Sequence, residues 1–232
     1  MKVAEVFQSI QGEGKLAGVP SSFIRASGCN LRCTWCDTPY ASWDPEGDDW
    51  AVEKLVDWAR SGPRHVVFTG GEPMIQTQAS TLCAALRFAG RHVTVETAGT
   101  IFKPVEIDLL SLSPKLANST PTDRDGGRFA RAHEKLRLQP KAMNELIDHT
   151  RNQGGDVQIK FVVEQPGDLE EIDTVLSSLR GWKVDDVLLM PEGTDTTTLH
   201  ERSVWLAQLC VDRGFRYCPR LHVDLFGNTR GT

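Results

Sequence analysis

The sequence lacks the features that would place a chain in or beyond a membrane. No apolar leader opens it, since Met1-Lys2-Val3-Ala4-Glu5 is interrupted by charge at once. No unbroken apolar run approaches the ~20 residues that span a bilayer. A cytoplasmic setting without a membrane partner is therefore expected. Positive charge is not in surplus: 26 Lys and Arg against 31 Asp and Glu give a net charge of −5. That balance argues against a nucleic-acid partner but leaves a small anionic ligand open, because local charge can oppose the net. Internal repeats and low-complexity tracts are absent. Cysteine is scarce, six in 232 residues. Without a secretory signal, such thiols serve metals or catalysis rather than disulfides.

What is present fits one soluble globular domain spanning residues 1–232, with 40% hydrophobic and 25% charged residues. Strand-like runs recur at Val3–Ile10, Ser22–Ala26, 65–69, His92–Glu96, Leu109–Leu112, Val157–Val163 and Val187–Met190. Helical patterns fall near 52–61, 76–89, 140–152, 168–180 and 198–213. This alternation predicts an α/β fold with a parallel sheet and crossover helices. A full eight-fold barrel takes ~250 residues, so a shortened, incomplete (β/α) barrel is expected. The segment Asn118–Arg131, rich in Asp, Gly and Thr, is expected to form a mobile surface loop.

Three of the six cysteines are crowded into Cys29-Asn30-Leu31-Arg32-Cys33-Thr34-Trp35-Cys36, and no fourth follows until Cys83. A closed structural zinc site wants four ligands, usually as two C-x2-C pairs. Three thiolates on one short loop suit instead a [4Fe-4S] cluster with one iron left open to a small molecule. A partial zinc knuckle and three coincidental buried thiols are the bland alternatives. Downstream, His65-Val66-Val67-Phe68 reads as a buried strand that runs into Thr69-Gly70-Gly71-Glu72-Pro73. The two glycines let the backbone approach a ligand closely.

The C-x3-C-x2-C loop and the Gly70-Gly71-Glu72-Pro73 turn, in this order, resemble the radical S-adenosylmethionine (SAM) superfamily. In that superfamily SAM chelates the fourth iron. The flanks are more specific. Gln11-Gly12-Glu13-Gly14 precedes the cysteines, Cys36-Asp37-Thr38 closes the loop, and Glu96-Thr97-Ala98-Gly99 and Ser113-Pro114-Lys115 follow. Read alone, Glu13 between two glycines is either a surface hairpin or a carboxylate presented from a turn. Arg25 is either an edge charge or an anion clamp.

Together these segments closely resemble the 7-carboxy-7-deazaguanine synthase family, along essentially the whole chain. The resemblance implies a shortened barrel, and a carbon–nitrogen lyase that contracts 6-carboxy-5,6,7,8-tetrahydropterin to 7-carboxy-7-deazaguanine with loss of ammonia, in queuosine and 7-deazapurine biosynthesis. It also implies a flavodoxin-type electron donor and a homodimer. By the same resemblance Cys29, Cys33 and Cys36 hold the [4Fe-4S] cluster. SAM would meet Asp37, Gly71, Glu72, Glu96, Ser113-Pro114-Lys115 and Met190-Pro191-Glu192-Gly193. The carboxypterin would meet Gln11, Gly12, Glu13, Arg25, Thr69 and His222. Thr38 would ligate a Mg2+ ion that also binds substrate; read alone, Thr38 is a turn residue. His222 is equally open to a core or surface role. The tail Leu225–Thr232 runs past the point where some relatives end, leaving open whether Thr232, Gly227 or His222 closes the pocket. Two rival readings share the cysteine loop or the thiols: an activase that makes a glycyl radical on a partner protein, and a non-enzymatic iron–sulfur carrier. The activase has no need of Gln11-Gly12-Glu13-Gly14, Arg25 or Cys36-Asp37-Thr38, and a carrier normally protects its cluster with four cysteines.

Overall fold

The computed structural model describes residues 1–232. In chain order the elements are β1 (Lys2–Ile10), β2 (Pro20–Ala26), α1 (Pro39–Ser42), β3 (Asp48–Asp49), α2 (Val52–Arg60), β4 (His65–Gly70), α3 (Ala79–Phe88), β5 (His92–Thr97) and β6 (Leu109–Leu112). They continue with α4 (Ala130–Arg137), α5 (Pro140–Asn152), β7 (Asp156–Val163), α6 (Asp168–Ser178), β8 (Val187–Pro191), α7 (Thr196–Arg213), β9 (Arg216–Tyr217) and α8 (Leu221–Phe226). The strands form one nine-stranded sheet in the order β3-β1-β2-β4-β5-β6-β7-β8-β9, which leaves β3 and β9 as open edges. From β2 to β9 every pairing is parallel. The architecture is thus a partial (β/α) barrel.

The two-residue alternation of a strand explains both faces of this sheet. Ile24 and Ala26 of β2, Val66 and Phe68 of β4, Val93 and Val95 of β5, Leu110 and Leu112 of β6, and Ile159 and Phe161 of β7 join one apolar core with the helices. The intervening residues, among them Arg25, Thr69, Glu96, Ser111 and Lys160, turn to the other, concave face and line a cavity. The helices supply the complementary stripe. In α2, Val52, Leu55, Val56 and Ala59 are buried at the i, i+3, i+4, i+7 spacing of one helical face. α7 starts at Asp195, whose side chain accepts from Thr198 N at 2.9 Å, and ends where Gly214 takes φ 68°.

Two expectations are corrected. The sheet is not parallel throughout: β1 pairs antiparallel with β2, and β3 antiparallel with β1. Only a 3-10 turn, Gly14–Leu16, lies between β1 and β2, and a connection this short cannot make a parallel crossover. Nor is 118–131 a free surface loop. Thr34 N donates to Ser119 O at 2.8 Å, Arg124 Nη1 donates to Thr34 O at 2.8 Å, and Trp35 Nε1 donates to Asn118 Oδ1 at 3.3 Å. The segment therefore packs on the cysteine loop and leads into α4. No helix is long and apolar enough to cross a membrane.

Candidate active site

A cavity of about 300 Å³ opens on the concave face, at the carboxyl ends of the parallel strands. In barrel folds that end is where loops from successive strands converge to build sites. The loop after β2 brings all three clustered cysteines to its wall, together with Asp37 and Thr38. All six cysteines are free thiols. Cys83 and Cys210 belong to the helical core and Cys218 is buried with Val162, Leu188 and Met190, so the loop thiols are the ones that face the cavity. No trio of His, Cys, Asp or Glu side chains closes on one point as a single-ion site. Three thiols on one short loop at the cavity are a donor set that suits a cluster, whose cationic iron would stabilise three thiolates. Without that charge, burial, reinforced by the Glu72 carboxylate, pushes the Cys29 thiol up to about 12. Burial, against the opposing charge of Lys115, takes Cys33 to about 12 as well.

The turn after β4 sits beside this loop. Gly71 lines the cavity, and a Cβ there would collide with the carbonyl oxygens of Gly28 and Ala41, so only glycine permits this approach. Glu72 does not face the cavity. Its carboxylate is fully buried (0% exposed) and accepts from Met74 N at 3.0 Å, Thr97 Oγ1 at 2.6 Å and Ala98 N at 2.9 Å. The side chain is turned inward to satisfy three buried donors, and it pins the β4 turn to the end of β5. Ser113 and Lys115 reach the cavity, with Lys115 Nζ donating to Ser113 Oγ at 2.8 Å, as does Met190 from β8. Pro114, Pro191, Glu192 and Gly193 lie off the wall. Glu192 pairs with Arg202, and Gly193 O accepts from Arg220.

Polar groups from the segment after β1 and from β4 and β5 also line the cavity. Gln11 Nε2 donates to Glu96 Oε1 at 3.0 Å, and Thr69 Oγ1 to Glu96 Oε2 at 2.9 Å. Glu96, expected with the SAM residues, is thus bonded to two residues expected on the pterin. Phe7 and Phe23 stack with centroids 4.7 Å apart, and the Arg25 guanidinium lies 5.6 Å from the Phe7 ring while Arg25 Nε donates to Glu5 Oε1 at 2.7 Å. His222 packs where a Gly12 Cβ would stand, which gives that glycine its reason, and its Nε2 lies 4.0 Å from Glu13 Oε1.

Glu13 is gripped from both sides. Lys160 Nζ donates to its Oε2, and Arg220 Nε to its Oε1 at 3.2 Å. Burial pushes this carboxyl upward, but Lys160, then Arg220 and His222, outweigh it and hold Glu13 well below the usual carboxylate range. Arg220 also donates to Asp37 Oδ2. Burial raises Asp37 too, and Arg220 more than offsets it.

Sequence reasoning missed Lys160, Arg220, Glu5 and Tyr40. A signal for Lys160 exists: a charged residue inside the otherwise buried run Val157-Gln158-Ile159-Lys160-Phe161-Val162-Val163 must have a partner. The tail question has an answer in the fold. His222 and Asn228–Thr232 line the cavity, and Gly227 does not. Arg230 holds the tail there, pairing with Glu46 at 2.9 Å and Glu5 at 3.4 Å and lying 4.0 Å from the Tyr40 ring.

The radical SAM superfamily model matches residues 23–117. The chain is 48% identical over 231 residues to the 7-carboxy-7-deazaguanine synthase of Rhodopirellula baltica, covering 99% of this chain and 88% of that protein. It is 42% identical over 243 residues to the protein of that name from Halobacterium salinarum, covering 100% and 93%. Among solved structures, QueE from Escherichia coli superposes with a TM-score of 0.66 at 26% identity, covering 94% of this chain and 92% of that one.

Proposed function

The chain belongs to the 7-carboxy-7-deazaguanine synthase family of the radical SAM superfamily, and on that premise we propose that it converts 6-carboxy-5,6,7,8-tetrahydropterin to 7-carboxy-7-deazaguanine and ammonia. One observation supports the reading above the others. A single cavity is lined by the three loop cysteines together with an ionised Glu13, Arg25, Thr69 and Glu96. That arrangement suits a one-electron reagent held against a polar heterocycle.

Cys29, Cys33 and Cys36 would hold a [4Fe-4S] cluster, and Gly71, Ser113, Lys115, Asp37 and Met190 would surround SAM. With SAM bound, such a cluster supplies the one-electron chemistry that takes hydrogen from C6 of the pterin. The substrate's atoms equal those of product plus ammonia, so the overall conversion consumes no electrons and the removed hydrogen must be returned. This chain's own residues then have three tasks. Glu13 and Glu96 present carboxylates to the donor edge of the pterin, and Arg25 offers a planar fork to an anionic or carbonyl edge. Phe7 and Phe23 give the ring an apolar wall. The tail, held by Arg230, restricts water at the cavity.

Thr38, on the wall beside Asp37 with its hydroxyl unused in capping α1, would be one oxygen ligand of Mg2+, which keeps several waters in its shell. A flavodoxin-type reductant, a homodimeric state and a cytoplasmic location complete the proposal by family likeness. Arg25→Ala tests it. Carboxypterin turnover should fall at least ~10-fold while cluster iron and uncoupled SAM cleavage persist, since a buried charge left unpaired costs more than ~1.4 kcal/mol. Full turnover in this variant would remove Arg25 from the substrate.

A further inference from the structure

Two buried cations, Lys160 and Arg220, hold the Glu13 carboxylate, and the family resemblance gives neither of them a role. They come from the middle of β7 and from the residue before α8, and are only 5% and 7% exposed. Each donates to a different oxygen of Glu13. Arg220 extends further: Nη1 donates to Gly193 O and Nη2 to Asp37 Oδ2, so one guanidinium ties the Gln11-Gly12-Glu13 turn to the residue between Cys36 and Thr38. The protein contains a second buried charge network for comparison. Lys15 pairs with Asp186 at 2.8 Å and Arg151 with Asp186 at 2.6 Å, but none of these residues reaches the cavity. That network holds the fold alone. The Glu13 network has its carboxylate and Lys160 on the cavity wall.

We infer that Lys160 and Arg220 are positioning residues, which fix the Glu13 carboxylate as an anion in one orientation and in register with the cysteine loop. The inference rests on the reading above, in which Glu13 meets the pterin. A carboxylate this buried loses its hydration and, unpaired, would take up a proton. The groups facing Glu13 are Lys160 from β7, Arg220 and Cys218 from the segment before α8, His222 from α8, Asp37 from the cysteine loop and Glu96 from β5 by way of Lys160. Asp37 opposes a second anion, burial pushes the Cys218 thiol up to about 12 and so keeps it neutral, and burial holds His222 towards its neutral form, so Lys160 and Arg220 carry the compensation. Lys160 itself is no proton donor. Burial lowers its affinity for a proton, but Glu13 and Glu96 outweigh that and hold it as a permanent cation, far from the value at which a general acid works near neutrality.

The test uses Lys160→Met, which keeps the unbranched side chain but for its terminal ammonium, with Lys160→Arg as the conservative control. For the reconstituted protein, kcat/KM on the carboxypterin is measured against pH. Infrared pH-difference spectra are recorded in parallel, with the Glu13 band identified by its loss in Glu13→Gln. Wild type should show no Glu13 ionisation across the neutral range. Lys160→Met should lose at least ~10-fold in kcat/KM at neutral pH, the scale of a buried charge deprived of its partner. It should recover part of that as pH rises, and its Glu13 band should titrate in the same range. Lys160→Arg should restore both. A pH-independent loss with an unchanged Glu13 band would overturn the inference and reduce Lys160 to a packing residue. A wild type inert to the carboxypterin whose Glu13 band still responds to Lys160→Met would overturn the substrate reading and leave the electrostatic role in place. If Lys160→Met does not fold, Lys160→Gln carries the same two measurements.

Discussion

Glu72→Gln separates a residue that holds the SAM-side turn from one that touches SAM. The three partners of Glu72 are all donors: Met74 N–H, Ala98 N–H and Thr97 O–H, the last with its oxygen already accepting from Gly99 N at 3.0 Å. Burial raises the proton affinity of Glu72, against the opposing effect of these three hydrogen bonds. Glutamine keeps the shape but replaces one acceptor oxygen with an NH2 group. Whichever way the amide turns, at least one buried N–H or O–H then faces another donor. Such an orphan costs ~1–3 kcal/mol. For a chain of this size each kcal/mol lowers Tm by ~2–4 °C, so a fall of ~2–12 °C is expected in anaerobic thermal unfolding followed by circular dichroism. Cluster iron should remain, and SAM affinity should drop less than ~10-fold, because Gly71 and not Glu72 forms the wall. An unchanged Tm with abolished SAM binding would refute the reasoning and make Glu72 a direct ligand of SAM.

Three further outcomes follow from the same geometry. Alanine at Cys29, Cys33 or Cys36 should abolish iron and visible absorbance after anaerobic reconstitution, whereas alanine at Cys83, Cys210 or Cys218 should leave both near normal; equal losses from the two sets would contradict the cluster assignment. Thr38→Ala should lose most of any Mg2+ stimulation while retaining cluster and SAM binding, and a wild-type metal response would leave Thr38 a turn residue. His65 donates to or accepts from Ser21 Oγ and Thr94 Oγ1, each at 2.7 Å, and burial, then the neighbouring His92, lowers it from 6.5 to about 4. The unfolded chain therefore binds the extra proton first, so the stability due to neutral His65 is complete above pH 6.5 and is lost as pH falls towards about 4, by at most ~3 kcal/mol. His65→Gln should flatten that part of a denaturant-midpoint profile, and an unaltered slope would rule out His65 as its source.

The strands and helices were legible because β4 through β8 are rich in β-branched, aliphatic and aromatic residues and the helices carry one-sided apolar stripes. The concave wall was legible wherever a motif named it, as at Cys29, Gly71, Glu13 and Thr69. What stayed hidden depends on contacts distant in sequence. Lys160 acquires meaning only when β7 brings it to Glu13, and Arg220 only when the tail returns to Asp37. The antiparallel β1–β2 pair was obscured because its strands resemble the others in composition, while its short connection was the available signal. The polar stretch 118–131 looked mobile by composition, yet the Asn118 and Arg124 side chains and the Ser119 carbonyl are partners of the cysteine loop. Glu72 shows the converse: its motif was visible, but the direction of its side chain was set by Thr97 and Ala98 on the next strand.

The central claim is tested most directly by incubating the anaerobically reconstituted protein with SAM, a reductant and 6-carboxy-5,6,7,8-tetrahydropterin deuterated at C6, and analysing the products by mass spectrometry. The account predicts equal amounts of 7-carboxy-7-deazaguanine and ammonia, product in excess of SAM consumed, and deuterium appearing in the SAM pool. Uncoupled SAM cleavage with the pterin left intact, or a glycyl radical appearing on an added partner protein instead, would contradict it.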